Sequence, residues 1–163
     1  MLLVNLGTFT IGHLLTGYRL HINLSKTKEM IIFHAGTRIK IPPQEIFGIK
    51  QIHTVKLLGV MFSDNLSFAS HIDNTLSSVS QRFYLLKQLK IRGLNQVALD
   101  NVFQSLVLNK ITYAAQSYSG YLLEQQIDRL QAILNKAKKW GLVSVSYNLL
   151  DIFEKQDSRL LSK

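Results

Sequence analysis

Two lysines separated by one residue mark the first place in the sequence where phosphate chemistry is expected. Lys26 and Lys28 alternate with the hydroxyl side chains of Ser25 and Thr27, within the stretch Leu20–Phe33 that reads LHINLSKTKEMIIF. Apolar residues alternate before this turn and return after it, which predicts a strand, a loop and a strand. Ammonium and hydroxyl groups on a loop at a sheet edge suit a phosphate, although the spacing alone also fits an ordinary solvated turn.

Two further groups of basic residues lie near the ends of predicted helices. They are Lys87, Lys90 and Arg92, followed much later by Lys136, Lys138 and Lys139. Cations near a helix C-terminus are stabilised by the helix dipole, so each group has a purely structural explanation. If the two groups converge on one surface, they form a patch suited to a phosphodiester backbone.

Aromatic side chains near these lysines are candidates for stacking on bases. They are Tyr84, Tyr118, Tyr121 and Trp140. Base stacking on aromatic rings is a common mode of nucleic-acid binding. Isolated aromatic residues at helical spacing, however, more often belong to a core or its rim.

The composition favours an anionic partner. The 163 residues carry a formal net charge of +9, with 19 Lys and Arg against 10 Asp and Glu. The absence of cysteine excludes disulfides, thiolate metal sites and cysteine nucleophiles. The apolar segment Met1–Leu15 is interrupted by polar residues and predicts neither a signal peptide nor a membrane span. We therefore expect an intracellular protein, cytoplasmic or nuclear, without a membrane partner.

The histidines and serines do not form the patterns of common enzyme sites. The five histidines, His13, His21, His34, His53 and His71, lack the close helical spacing of a zinc site. The sequence also contains no Gly-x-Ser-x-Gly elbow and no phosphate-binding loop motif. We therefore predict no metal site and no catalytic residue from these patterns.

The elements that must position the basic groups fall into two parts. A short helix ending near Gly17 and several short strands, including Arg38–Ile41, are predicted up to Phe62. The pattern then changes to helical periodicity after Ser63–Asn65. Residues 1–66 are thus predicted to form an α+β segment, and residues 67–163 a helical bundle with a short C-terminal tail.

Three amphipathic helices are predicted in the second part. The first begins at a capping box formed by Ser70 and Asp73 and ends near Lys90, before Gly93. The second is capped by Asn95 and ends near Tyr113, the third spans about Glu124 to Trp140 before Gly141, and a short helix follows at Tyr147–Phe153. The apolar stripes expected to be buried are Ile72, Leu76, Val79, Phe83 and Leu86, then Leu99, Val102, Phe103, Leu106 and Ile111, then Ile127, Leu130, Leu134 and Ala137.

Two ordered motifs and the helical region after them resemble the C-terminal half of reverse transcriptases from LINE-type (non-LTR) retrotransposons. The motifs are Asn23–Met30 (NLSKTKEM) and Lys56–Phe62 (KLLGVMF), the latter followed by His71-Ile72. Their order and spacing match the late palm motifs of that family and the start of its thumb, over about Leu14 to Trp140. The resemblance implies a small antiparallel β remnant of a polymerase palm, followed by a three-helix thumb-like bundle.

The resemblance also implies roles for individual residues. Lys26 would be the lysine that protonates or neutralises the leaving pyrophosphate. Met61–Phe68, with its turn at Asp64–Asn65, would be the hairpin that grips the end of the primer. Because the thumb of this family contacts a template–primer duplex, both basic groups, together with Lys26 and Lys28, become candidate contacts to RNA or an RNA–DNA hybrid.

The family polymerises with two magnesium ions held by paired aspartates. None of the 10 acidic residues of this chain is adjacent to another, and the fingers and early palm would precede Met1. We therefore expect that this chain alone holds no cofactor and does not polymerise. It would be a polymerase fragment that retains RNA or RNA–DNA binding. The alternatives are a non-enzymatic helical interaction module, able to self-associate through exposed apolar surface, and a decayed element remnant with no selected function.

Overall fold

The computed structural model describes residues 2–4, 23–32, 44–46 and 48–161, and its fold mixes α-helices with short β-strands. The chain divides into two units, Met1–Ser67 and Phe68–Lys163. The sequence prediction had placed this division between residues 66 and 67. The predicted helix before Gly17, the apolar residues Leu20–Ile22 and the predicted strand Arg38–Ile41 lie outside the described residues.

The strands of the first unit form a small parallel sheet and a separate hairpin. β1 (Leu2–Val4), β2 (Lys28–Met30) and β3 (Lys50–Gln51) lie side by side in that order, with Lys28 opposite Lys50. The expected antiparallel arrangement is therefore wrong for this sheet. Parallel pairing needs a crossover of about a dozen residues or more, and the chain between β2 and β3 is long enough to provide it.

The hairpin consists of β4 (Thr54–Leu57) and β5 (Val60–Ser63), which pair in antiparallel register. Its turn is Leu58–Gly59, and these residues have φ angles of +46° and +90°. Positive φ at both central residues is the requirement of a type I′ turn, which matches the twist of the flanking strands. Leu58–Gly59 is thus the point at which the chain reverses between β4 and β5.

Asp64 closes the open end of this hairpin. Its Oδ2 atom lies 2.7 Å from Nδ1 of His53, and its backbone N–H donates to the His53 carbonyl at 2.9 Å. The turn predicted at Asp64–Asn65 is present, and the Leu66 N–H donates to the Ser63 carbonyl at 2.9 Å. It follows β5 and does not lie between two paired strands, so the hairpin predicted at Met61–Phe68 is wrong. The chain reverses at Leu58–Gly59, because the two strands that pair lie on either side of that turn.

The second unit is built from helices. Their bounds are Ala69–Ile91 for α1, Gln96–Phe103 for α2, Asn109–Thr112 for α3, Glu124–Lys139 for α4 and Leu149–Leu161 for α5. A segment of π-helix, Gln104–Leu108, joins α2 to α3. The predicted second helix is therefore continuous, but its middle part is π-helical and not α-helical. The short helix predicted at Tyr147–Phe153 begins at Leu149 and extends to Leu161.

Caps explain where two of these helices begin. The side chain of Asn95 accepts a hydrogen bond from the Ala98 N–H at 2.8 Å, which confirms the predicted cap of α2. The capping box predicted at Ser70 and Asp73 is wrong. Since α1 begins at Ala69, Asp73 lies beyond the unpaired N–H groups of the first turn and cannot cap them.

The helices bury most of the predicted apolar stripes. Four of those residues are only half-buried: Leu76, Val102, Leu106 and Ile127. Val107, which the stripe did not include, is completely buried. The π-helical segment changes the number of residues per turn, so the side chains that follow Phe103 are rotated relative to an ideal α-helix.

One end of the core contains a buried hydroxyl. Tyr118 is 1% exposed, and its hydroxyl donates to the Ile111 carbonyl at 2.5 Å, near the end of α3. The ring of His71 packs edge-on against it, with ring centroids 4.7 Å apart. Burial raises the pKa of Tyr118 to about 12, so the hydroxyl stays protonated and keeps its acceptor.

Burial of His71 should make the stability of the second unit depend on pH. Burial, and to a smaller extent the positive charge of Lys110, lower the pKa of His71 from 6.5. The unfolded chain therefore takes up a proton at this ring at a higher pH than the folded chain. Stability is complete above about pH 6.5 and falls as the pH drops toward the lowered pKa, by up to about 1.4 kcal/mol per pH unit.

Urea unfolding at a series of pH values from about 7.5 to 5.5 measures this slope. His71→Gln should flatten the pH dependence in this range. His53→Gln is the matched control, because the side chain of His53 is 87% exposed, and it should leave the slope unchanged. An unaltered slope in His71→Gln would assign the pH dependence to another group.

Candidate nucleic-acid interface

The two helices that carry the predicted basic groups run in the same direction. Near their N-termini, Nη2 of Arg129 on α4 donates to Oδ1 of Asp73 on α1 at 2.7 Å. At their other ends, Nζ of Lys90 on α1 donates to the carbonyl of Trp140, which caps α4, at 2.8 Å. One contact therefore joins the N-terminal parts of α1 and α4, and the other joins their C-terminal ends. The two C-termini lie side by side.

Both C-termini end in the same backbone motif. After α1, Gly93 N–H donates to the Lys90 carbonyl at 3.0 Å and Leu94 N–H to the Leu89 carbonyl at 3.1 Å. After α4, the corresponding bonds run from Gly141 to Lys138 at 2.9 Å and from Leu142 to Ala137 at 3.0 Å. These are Schellman motifs, and both glycines have positive φ, +85° and +62°, as that motif requires. The predicted helix stops at Gly93 and Gly141 are confirmed.

Lysines from both helices converge on the indole ring of Trp140. Nζ of Lys87 lies 3.5 Å from the ring centroid, and Nζ of Lys136 lies 4.5 Å from it. Lys90 contacts the carbonyl of the same residue. We call Lys87, Lys90, Lys136 and Trp140 the Trp140 basic cluster. The convergence that a phosphate-binding patch would require is thus present for three lysines of the two groups, in the second unit.

The cluster brings like charges close together. The ammonium nitrogens of Lys87 and Lys136 are no more than 8.0 Å apart, because both lie against one ring. That separation is about one Debye length at physiological ionic strength, so their repulsion is only partly screened. The cation–π contacts offset some of it. An anion bound close to both ammonium groups would relieve the remainder.

The remaining basic residues surround this cluster in the sequence. Lys138 donates to the Ser144 carbonyl, and Ser144 in turn donates to the carboxylate of Asp100 through its hydroxyl and through its N–H, the latter at 2.8 Å. These hydrogen bonds, the hydroxyl first, lower the pKa of Asp100, with contributions from Gln96 and from the charge of Lys138. Arg92 and Lys139 are exposed at the ends of α1 and α4.

The helix dipoles account for only part of this positive charge. Each helix C-terminus is equivalent to about half a negative charge. The two ends and the Asp100 carboxylate therefore offset about two of the charges carried by the predicted basic groups, Lys87, Lys90, Arg92, Lys136, Lys138 and Lys139. About four positive charges of these groups are then offset neither by a helix C-terminus nor by the Asp100 carboxylate. The excess is what a polyanion would neutralise.

The candidate stacking residues differ in what they can do. Tyr118 is buried in the core, so its predicted role in base stacking is wrong. Trp140 is 36% exposed, but its ring is already contacted by two ammonium groups and by the edge of Phe83, at 6.0 Å between centroids. Tyr84 and Tyr121 are well exposed. Of the four predicted residues, these two have ring faces that a base can reach.

The lysine loop of the first unit is shorter than predicted. Leu24–Lys26 forms one turn of 3-10 helix, and Lys26 lies exposed at its end. Lys28 already belongs to β2 and is half-buried. The hydroxyl of Thr27 is buried and donates to the Asn23 carbonyl at 2.8 Å, so it is committed to holding the turn. Of the two predicted lysines, Lys26 is the one that is exposed on the turn. Ser25 is exposed on the same turn, and its hydroxyl donates to Oδ1 of Asn23 at 2.7 Å.

The described residues do not assemble a metal site. Within the ranges that the structure describes, no three His, Asp or Glu side chains come together. His53 is paired with Asp64, and His71 is buried against Tyr118. The described residues therefore offer no set of ligands for the two magnesium ions of the resembled polymerases.

Comparison with known proteins gives no further constraint. No family model, curated protein or solved structure matches the chain. Among the described residues, no helix has the length and apolar character needed to cross a membrane.

Proposed function

We propose that this chain is a palm-and-thumb fragment of a non-LTR retrotransposon reverse transcriptase that does not polymerise alone and that binds RNA or an RNA–DNA hybrid. The family origin is supported by the motifs Asn23–Met30 and Lys56–Phe62. The binding activity is supported by one observation above the others. Lys87 and Lys136, which are 49 residues apart in sequence, meet at Trp140, with more positive charge than the helix ends can offset.

The chemistry of such a surface favours the phosphate backbone over the bases. Lysine ammonium groups act as point charges toward phosphate oxygens and carry no sequence information. Binding through Lys87, Lys90 and Lys136 would release about three counterions. The affinity should therefore be independent of sequence and should fall steeply as salt is added.

Fluorescence anisotropy of a labelled RNA–DNA hybrid, titrated at several salt concentrations, tests this function. The slope of log affinity against log salt should be about −2 to −3 for the unchanged chain. In the double variant Lys87→Gln/Lys136→Gln the slope should become shallower by about two, because two phosphate contacts are lost. Lys90 is left in place, since its ammonium group also caps α4.

The matched control is Lys155→Gln, which removes one exposed lysine from α5 outside the cluster. It should leave the slope unchanged. If Lys155→Gln weakens binding as strongly per charge as the double variant, the interaction follows net charge and the cluster is not a site. Absence of binding even at low salt would overturn the proposed function.

A second candidate is the helical interaction module, and the exposed apolar residues favour it. Ile91 and Val97 are 77% and 73% exposed on either side of the turn that joins α1 to α2. Exposed apolar side chains in a contiguous patch mark protein interaction sites. This function becomes the better explanation if the hybrid does not bind and the chain self-associates in sedimentation velocity.

A further inference from the structure

Tyr84 lies on the face of α1 next to the Trp140 basic cluster. Its side chain is 65% exposed, and it precedes Lys87 by three positions. Residues three apart on a helix are surface neighbours, with Cβ atoms about 5–6 Å apart. Ile91, one turn beyond Lys87, continues the same strip of exposed surface. The Trp140 basic cluster is therefore bordered by an aromatic ring that is exposed and does not belong to the core.

The ring of Tyr84 differs from that of Trp140 in being open to a ligand. Two ammonium groups and Phe83 already contact the indole ring of Trp140, so a base could approach it only by displacing them. Tyr84 stands outside these contacts and is nearly twice as exposed. Phosphate-binding lysines and a free aromatic ring thus lie side by side.

We infer that Tyr84 stacks on an unpaired base of an RNA strand whose phosphates lie on Lys87, Lys90 and Lys136. This inference rests on the proposed function and specifies which form of nucleic acid the cluster takes. In a duplex each base is covered by its neighbours in the stack, so an exposed ring at the protein surface gains nothing from it. In a single strand any base offers a free face, and stacking adds to the phosphate contacts.

The rest of the exposed face of α1 argues against a lipid surface as the partner. The residues toward the N-terminus of Tyr84 are small or polar and exposed: Asp73, Asn74, Ser77, Ser80 and Gln81. A helix that lies in a membrane interface needs a broad apolar face along its length. One tyrosine beside a group of lysines suits one nucleotide better than a layer of acyl chains.

The test compares three labelled probes of equal length by anisotropy: single-stranded RNA, a duplex, and a single strand with abasic positions. Tyr84→Leu should weaken binding to the single strand about tenfold and leave duplex binding within about twofold. Tyr84→Phe, which keeps the ring, should restore the affinity. The abasic strand should bind the unchanged chain about as weakly as the ordinary strand binds Tyr84→Leu.

Tyr121→Leu is the control for loss of an exposed tyrosine. Tyr121 is 62% exposed and packs near Phe68, at the opposite end of α1, about 30 Å from Lys87 along the helix. It should not change binding to any probe.

Four outcomes separate the two proposals. Unchanged single-strand affinity in Tyr84→Leu, with loss of affinity in Lys87→Gln/Lys136→Gln, would overturn the role of Tyr84 and keep the proposed function. Equal losses on the duplex and the single strand would likewise overturn it, because stacking needs a free base. Binding to none of the three probes would overturn both. Binding to anionic lipid vesicles but to no oligonucleotide would also overturn both.

Discussion

Replacing Phe83 by Ala should destabilise the second unit by about 3–5 kcal/mol, the usual cost of removing a buried phenyl ring. Phe83 is 3% exposed and lies between Phe103 on α2 and Trp140 at the end of α4, with ring centroids 6.4 and 6.0 Å away. The change would leave a cavity where three helices meet. It would also remove the support for the ring that holds Lys87 and Lys136.

Urea unfolding followed by tryptophan fluorescence measures this effect directly, because Trp140 is the one tryptophan of the chain. The control is Leu85→Ala, two positions along the same helix and 52% exposed, which should change stability by no more than about 0.5 kcal/mol. A Phe83→Ala loss as small as that of Leu85→Ala would contradict the packing of α1 on α4.

Replacing Gly141 by Ala should have the next largest effect, about 2 kcal/mol. Two costs combine at this position. Gly141 has φ +62°, a left-handed conformation that costs a residue with a Cβ atom about 1–2 kcal/mol. A Cβ atom there would also lie 2.5 Å from Nζ of Lys90, so this ammonium group, at the end of a flexible side chain, must shift relative to the Trp140 carbonyl that it contacts.

Two other glycines separate these costs. Gly93 has φ +85° but no atom within 4 Å of a Cβ built on it, so Gly93→Ala should show the conformational cost alone. Gly120 has open space and no positive φ, so Gly120→Ala should be close to neutral. The difference between Gly141→Ala and Gly93→Ala then measures the displacement of Lys90. Equal losses would indicate that Lys90 contributes nothing to the helix end.

Helix boundaries in this chain could be predicted because local chemistry sets them. Asn95 caps α2 through its own side chain, and Gly93 and Gly141 end their helices through their own backbone conformations. The predicted capping box at Ser70 and Asp73 is wrong because α1 already begins at Ala69, and Asp73 has a different role. The side chain of Asp73 is used by Arg129, a partner 56 positions away that no local pattern reveals.

In the candidate site, too, locally determined features could be predicted and contacts between distant residues could not. Both basic groups could be recognised from the sequence, but their meeting point at Trp140 depends on the direction of α4 relative to α1, which periodicity does not specify. Arg82, whose guanidinium donates to the Leu106 carbonyl in the π-helical segment, was not predicted at all. Neither was the link from Asp100 to Ser144. A mid-helix arginine and a loop serine carry no sequence signal of such partners.

Strand pairing was the least predictable part. Alternating residues identified strands near Lys28 and Val60, yet the pattern does not say whether neighbours run parallel or antiparallel. The hairpin turn was missed because its two residues are Leu58–Gly59, whereas Asp64–Asn65 has the composition that turns usually show. A leucine at positive φ is uncommon, and only the backbone geometry identifies it.

Because α1 and α4 run in the same direction, the chain must complete α2 and α3 before the ends of α1 and α4 can meet. The contacts that join them span 50 and 56 positions of sequence, so each one closes a long loop at a cost in chain entropy. During synthesis, Lys87 and Lys90 emerge well before Trp140 and present only a solvated helix end. A nascent chain therefore lacks the assembled cluster until α4 has been synthesised and contacts α1.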